Sequence, residues 1–180
     1  YNLIGQLFPI YLSDIGKLKV QQIGIVNAAI GVTAIIAAPL AGSLVDKFSE
    51  RAAIIMGFAL NGLGLATLLN SNSYSGFILA MCFFGLGSGS LMPAYESLIS
   101  KVVPESKRGM AFGFFGTTLG ILSLPMPWIG AQLWERISPR TPFWFAVVAN
   151  LISIVIARFK FKLRDSQPEK IPGSQIAPPS

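Results

Sequence analysis

Long apolar stretches alternate with short polar ones along most of the chain. No charged residue occurs between Lys19 and Asp46, or between Arg51 and Glu96. A transmembrane helix needs about 20 mostly apolar residues, so the second of these runs is long enough for two helices and a turn. The pattern therefore predicts an all-α membrane protein with six spans, at about 1–12, 23–45, 52–69, 76–99, 109–134 and 142–157.

The two ends of the chain differ from this regular pattern. The first apolar stretch is too short to cross a bilayer, and Tyr1 lies inside it, so we expect a truncated first helix. Residues 160–180 are basic and then rich in proline and serine, which predicts a disordered tail. The membrane domain would occupy residues 1–159.

The composition narrows the class of protein further. The chain of 180 residues is 52% hydrophobic and 12% charged, whereas soluble domains carry about 25% charged residues. Histidine is absent and Cys82 is the single cysteine, so no disulfide within the chain and no Cys/His metal cluster is expected. Without a cluster of acids, bases or metal ligands at one depth, we expect neither an enzyme nor a bound cofactor.

The distribution of basic residues predicts the orientation in the membrane. The formal net charge is +6, and ten of the 14 lysines and arginines lie in alternate connections or in the tail. These ten are Lys47, Arg51, Lys101, Lys107, Arg108, Arg158, Lys160, Lys162, Arg164 and Lys170. Cytoplasmic loops are enriched in lysine and arginine, so this face and the C-terminus are predicted to be cytoplasmic. The charge therefore indicates membrane topology rather than nucleic-acid binding, and we expect a multi-pass protein of the plasma membrane.

A dense group of charges separates the second and third predicted spans. Residues 42–51 read Gly-Ser-Leu-Val-Asp-Lys-Phe-Ser-Glu-Arg. The pattern resembles the loop signature of the major facilitator superfamily, Gly-x-x-x-Asp-Arg/Lys-x-Gly-Arg-Arg/Lys. The positions that fit are Gly42, Asp46, Lys47 and Arg51. Ser49 stands where glycine is usual, and Glu50 where arginine is usual.

Two further stretches strengthen the resemblance. Pro104-x-x-x-Arg108-Gly109-x-Ala111-x-Gly113 is similar to the family's second cytoplasmic signature, which precedes the fifth helix of a six-helix half. Residues 124–143 resemble the last two helices of the family's carboxyl-terminal half. The chain is thus expected to be this half of a twelve-helix transporter.

The resemblance implies secondary active transport of a small solute by alternating access. The substrate would bind at mid-membrane between two pseudo-symmetric halves. The implied partners are the lipid bilayer, the small-molecule substrate, a coupling proton or ion, and the missing N-terminal half of the same transporter. The alternative is a transport-incompetent receptor or scaffold built on half of this fold.

The loop signature further implies a conformational latch. Asp46 would approach the positive N-terminal end of the fifth helix, which stabilises a carboxylate by about 0.3–1 kcal/mol. Lys47 and Arg51 would pair with Glu96 or Glu105, and these contacts would favour the outward-open state. Arg108, at the start of the fifth helix, is a further charge partner. The alternative is that these charges are solvated and set only the topology.

Polar residues inside the predicted spans are candidates for a substrate path. They are Gln6, Asn27, Asn61 and Asn150, and the alternative for each is a hydrogen bond between helices. Glu96 is the one acid in an otherwise apolar span. It precedes Lys101 by about 7.5 Å of helix rise, so it would lie near the cytoplasmic interface. We interpret it as a structural or gating partner rather than a proton carrier.

Overall fold

The chain folds into helices joined by short connections. The computed structural model describes residues 3–47 and 49–160, without the side chains of residues 44–47 and 160. This part contains no strand. Its α-helices are α1 (Leu7–Asp14), α2 (Val20–Lys47), α3 (Glu50–Asn70), α4 (Tyr74–Val102), α5 (Arg108–Ser123), α6 (Met126–Arg136) and α7 (Thr141–Lys160). A 3-10 turn, Glu105–Lys107, precedes α5. The tail predicted from residue 160 lies outside the described residues, apart from the last residue of α7.

Five segments of the described chain are long and apolar enough to cross a membrane. They are Val20–Ser43, Glu50–Asn70, Tyr74–Val102, Glu105–Arg136 and Thr141–Phe159. The eight residues of α1 are too few to span a bilayer. The prediction of an all-α membrane bundle is therefore confirmed.

The bundle is built around the antiparallel pair α3 and α4. Helix α2 packs on the other side of α4, and α7 packs on the other side of α3. The short α1 is held by buried aromatic rings: the rings of Tyr11 and Phe143 have centroids 4.8 Å apart, and Phe8 contacts the rings of Phe84 and Phe143. Such edge-to-face contacts stabilise a core beyond simple burial.

Glycine lets the central helices approach closely. A Cβ atom added to Gly64 of α3 would lie 2.8 Å from the carbonyl oxygen of Ala80 and 2.9 Å from the backbone nitrogen of Phe84. A Cβ atom added to Gly89 of α4 would lie 2.7 Å from Cα of Ala34 in α2. Because lipid tails give helices little hydrophobic drive to associate, close backbone packing of this kind is what holds a membrane bundle together.

The fifth predicted span is split into two helices. Helix α5 ends at Ser123 and α6 begins at Met126. Pro125 and Pro127 cannot donate the backbone hydrogen bonds that would continue α5. The two prolines therefore break the helix, although α5 and α6 together still have the length of one span.

Candidate functional site

The connections between α2 and α3 and between α4 and α5 meet the end of α7 at one end of the bundle. Helix α3 begins there, and α4 and α7 end there. Ser49 caps α3, because its Oγ accepts a hydrogen bond from the backbone N–H of Ala52 at 3.2 Å. The serine that departs from the family signature thus has a structural role at the start of this helix.

Glu50 joins α3 to α4 at this end. It is 6% exposed, and its Oε1 lies 2.5 Å from Nζ of Lys101. The same oxygen accepts a hydrogen bond from Oγ of Ser97 at 2.9 Å. Among the described residues this is the only ion pair, and it connects the first turn of α3 with the last turns of α4.

Arg51, the next residue, joins α3 to α7. Its Nη2 donates a hydrogen bond to the backbone carbonyl oxygen of Arg158. The last four carbonyl groups of a helix have no partner within the helix, so a guanidinium is a suitable donor at this position. The contact brings two basic residues together near the end of α7.

Arg108 joins the end of α4 to the start of α5. Its Nη2 donates to the carbonyl oxygen of Ser100 at 2.9 Å, and its Nε donates to the carbonyl oxygen of Val103 at 3.3 Å. The side chain therefore satisfies backbone groups at the C-terminal end of α4. In the described residues Arg108 acts through carbonyl groups and not through a carboxylate.

The remaining residues of the predicted latch are placed as follows. Gly42 lies in α2, and a Cβ atom added to it would have no neighbour within 4 Å. Asp46 and Lys47 belong to the last turn of α2, but their side chains lie outside the description. Glu96 and Glu105 are exposed, and the described partner of Arg51 is the Arg158 carbonyl rather than either acid. The latch concerns a change of conformation and stays a prediction.

The contact between Glu50 and Lys101 was not predicted from the sequence. Glu50 was interpreted only as a departure from the signature, and Lys101 only as a topology charge. The predicted span boundaries could have indicated this contact. In two consecutive antiparallel helices, the start of the first helix lies beside the end of the second, and Glu50 and Lys101 occupy these two positions. Ser97 lies one helical turn before Lys101, on the same face.

The candidate substrate-path residues lie in or beside four different helices, α1, α2, α3 and α7. Asn61 is buried against α4, and its Oδ1 would be 2.7 Å from a Cβ atom added to Gly87. This oxygen has no hydrogen-bond partner among the described residues. Asn150 lies in α7 near Gly62 and donates to the carbonyl of Ala146 in its own helix. Asn27 is half-buried in α2, whereas Gln6 is exposed at the start of α1.

Two helices present open faces containing glycine. A Cβ atom added to any of Gly24 and Gly31 in α2, or Gly109, Gly113, Gly116 and Gly120 in α5, would have no described neighbour within 4 Å. In α5 these glycines are spaced four, three and four residues apart, so they share one face. No residue of α5 is buried.

The fold and the charged end define the class of protein: a multi-pass α-helical membrane protein. The family model of the Major Facilitator Superfamily matches residues 1–178, and the chain belongs to this family of transporters.

Curated relatives carry names that refer to drug resistance. Quinolone resistance protein NorA of Staphylococcus aureus (strain N315) is 28% identical over 159 residues, which cover 86% of this chain and 40% of NorA. Multidrug resistance protein 3 of Bacillus subtilis (strain 168) is 25% identical over 161 residues, covering 89% of this chain and 31% of that protein. The chain thus spans less than half the length of these relatives. Their names are those of resistance proteins and not of enzymes.

Proposed function

We propose that this chain is the carboxyl-terminal six-helix half of a secondary transporter that exports drug-like small molecules. Family membership supports membrane transport, and the names of the relatives support export of quinolones or similar compounds. The observation that carries the proposal is the open glycine-bearing face of α5, together with the open glycines of α2. Small residues are typical of helix–helix interfaces in membranes, so these faces suit a second bundle.

The exporter would work by alternating access. The substrate binds between this half and the missing half, and rocking of the two halves opens the site to one side of the membrane at a time. Asp46 closes the cytoplasmic side by docking on a helix N-terminus, either that of α5 or that of the equivalent helix in the other half. A proton or ion gradient drives the cycle.

The basic end of the bundle is the cytoplasmic end in this proposal. The hydrogen bond from Arg51 to Arg158 and the ion pair of Lys101 support it, because they join the ends of helices whose connections hold most of the cations. The positive-inside rule then places this end in the cytoplasm of a cell whose plasma membrane holds the protein.

Drug accumulation in cells tests the proposal. We expect the full-length protein to lower quinolone accumulation in a drug-sensitive bacterium, and a protonophore to abolish this effect. The chain of residues 1–180 alone should insert without lowering accumulation, because the substrate path needs both halves. Equal accumulation with and without the full-length protein would contradict export.

A pair of variants tests the open face of α5. Gly113→Leu places a bulky side chain where the second half would dock, so we expect it to abolish export by the full-length protein. Ala149→Leu makes a similar change on the exposed side of α7 and should preserve export. Wild-type export by Gly113→Leu would contradict a bundle interface at this face.

The receptor or scaffold alternative is not favoured, because the names of the relatives refer to resistance and none refers to signalling.

A further inference from the structure

The basic residues at the end of α7 form a group without a described counter-ion. Arg51 and Arg158 are brought together by the hydrogen bond between the Arg51 guanidinium and the Arg158 carbonyl. Among the described residues no carboxylate forms an ion pair with either of them. The nearby carboxylate of Glu50 is already engaged by Lys101 and Ser97. The two arginines therefore place two cationic side chains at this corner of the described bundle.

A stripe of bulky apolar side chains leads along α7 to this corner. Ile152, Val155, Ile156 and Phe159 follow the spacing i, i+3, i+4 and i+7, so they share one helical face. All four are exposed, and Phe159 is 75% exposed. Arg158 is exposed directly beside this stripe.

The exposed side of α7 differs from the faces that suit a second bundle. Helix α7 contains no glycine, whereas α2 and α5 carry open glycines. Bulky apolar side chains without close backbone contact suit fluid acyl chains, whereas small residues suit another helix. The exposed side of α7 is therefore best covered by lipid.

From these observations we infer that the corner formed by Arg51 and Arg158 binds the anionic headgroup of a membrane phospholipid. The phosphate lies against the two arginines, and one acyl chain lies along Ile152, Val155, Ile156 and Phe159. Guanidinium groups bind phosphate oxygens with directed hydrogen bonds, and basic pockets at the cytoplasmic ends of membrane helices attract anionic lipids. The inference takes from the proposed function only that this end faces the cytoplasmic leaflet.

Lipid retention by the purified protein tests the inference. The full-length protein in detergent is mixed with equal amounts of phosphatidylglycerol and phosphatidylcholine, and bound lipids are counted by native mass spectrometry. We expect the wild type to prefer phosphatidylglycerol. Arg158→Gln should weaken phosphatidylglycerol binding about fivefold, and the double variant Arg51→Gln/Arg158→Gln more strongly, because each cation near an anionic surface contributes a similar factor.

Two control variants test whether the lipid preference depends on the charge at residue 158 and on the position of that charge in the bundle. Arg158→Lys keeps the charge and should keep most of the preference. Arg140→Gln removes a cation from the connection between α6 and α7, at the opposite end of the bundle, and should leave the preference unchanged. Helical circular dichroism and a single monodisperse species establish that each variant is folded.

Three results would overturn the inference. The first is a wild type that retains both lipids equally, a measurement that needs no variant. The second is an equal loss of phosphatidylglycerol in Arg140→Gln and Arg158→Gln. The third is displacement of the lipid by millimolar inorganic phosphate, which would show that an anion binds without acyl chains. None of these measurements depends on export, so a failure here is distinct from a failure of the transport proposal.

Discussion

At the scale of single residues, the two departures from the family's loop signature have local explanations. Ser49 caps α3, and Glu50 is held by Lys101 and Ser97. The acid at a usually basic position is therefore bound within the described bundle. The type of residue could be recognised from the sequence, but its partner depended on the packing of α3 against α4.

The ion pair of Glu50 leads to a prediction about stability. Lys101→Gln leaves the Glu50 carboxylate buried with Ser97 as its remaining described side-chain partner, which should destabilise the bundle. Breaking a fully buried pair costs about 3–5 kcal/mol. Here the Lys101 side chain is 61% exposed, so we expect only about 1–2 kcal/mol after allowing for solvent screening. Thermal unfolding in detergent measures the change.

Lys107→Gln is the control for this prediction. Lys107 is exposed and lies in the 3-10 turn at the same end of the bundle. It has no described ion-pair partner, so its removal should change stability by less than about 0.5 kcal/mol. Equal unfolding temperatures for the two variants would contradict a structural role for Lys101.

Asp46 leads to a prediction about transport. Asp46→Asn removes the charge but keeps the size of the side chain. If the carboxylate docks on a helix N-terminus in one state, its loss costs that state about 0.3–2 kcal/mol, a factor of about 2 to 30 in the balance of states. We expect a clear fall in drug export by the full-length protein with unchanged membrane insertion. Wild-type export rates would rule out the latch.

At the scale of elements, the sequence was sufficient to locate helices and not to pair them. Uncharged runs of bilayer length predicted long helices, because every backbone group in lipid must be satisfied within a helix. The glycine spacing in α5 defines one helical face. In the structure it is open, whereas Gly64 and Gly89 make the close contacts. Glycine spacing therefore predicts which helical face allows close approach, but it does not predict which helix packs against that face.

This contrast between glycines can be measured. Gly64→Ala places a Cβ atom against backbone atoms of Ala80 and Phe84, which cannot move independently of their helix. We expect a loss of about 1–3 kcal/mol, the usual cost of overpacking. Gly113→Ala meets no described neighbour and gains helix propensity, so stability should be unchanged or higher by up to about 1 kcal/mol. Denaturant titration of residues 1–180 in detergent compares the two, and an equal loss in both would contradict the packing.

At the scale of the whole molecule, hydropathy and charge predicted the class of protein but did not predict its substrate. Hydropathy and charge alternation are properties of one chain, so they identified a membrane bundle and a basic end. In the proposed transporter the substrate site would depend on two halves, and the candidates Gln6, Asn27, Asn61 and Asn150 lie in or beside four different helices of this chain. The residues of this chain therefore do not specify the solute.

The orientation of the whole molecule gives the last prediction. Helix α7 ends at the same end of the bundle as the start of α3, where Arg51, Lys101 and Arg158 lie. Because cytoplasmic loops are enriched in lysine and arginine, a reporter fused after Ser180 should be cytoplasmic. The assay uses two reporters, one that is active only in the cytoplasm and one that is active only outside the cell. As a control, the same reporters are inserted between α6 and α7, where external activity is expected. External activity at Ser180 would reverse the orientation and would also move the inferred lipid site to the outer leaflet.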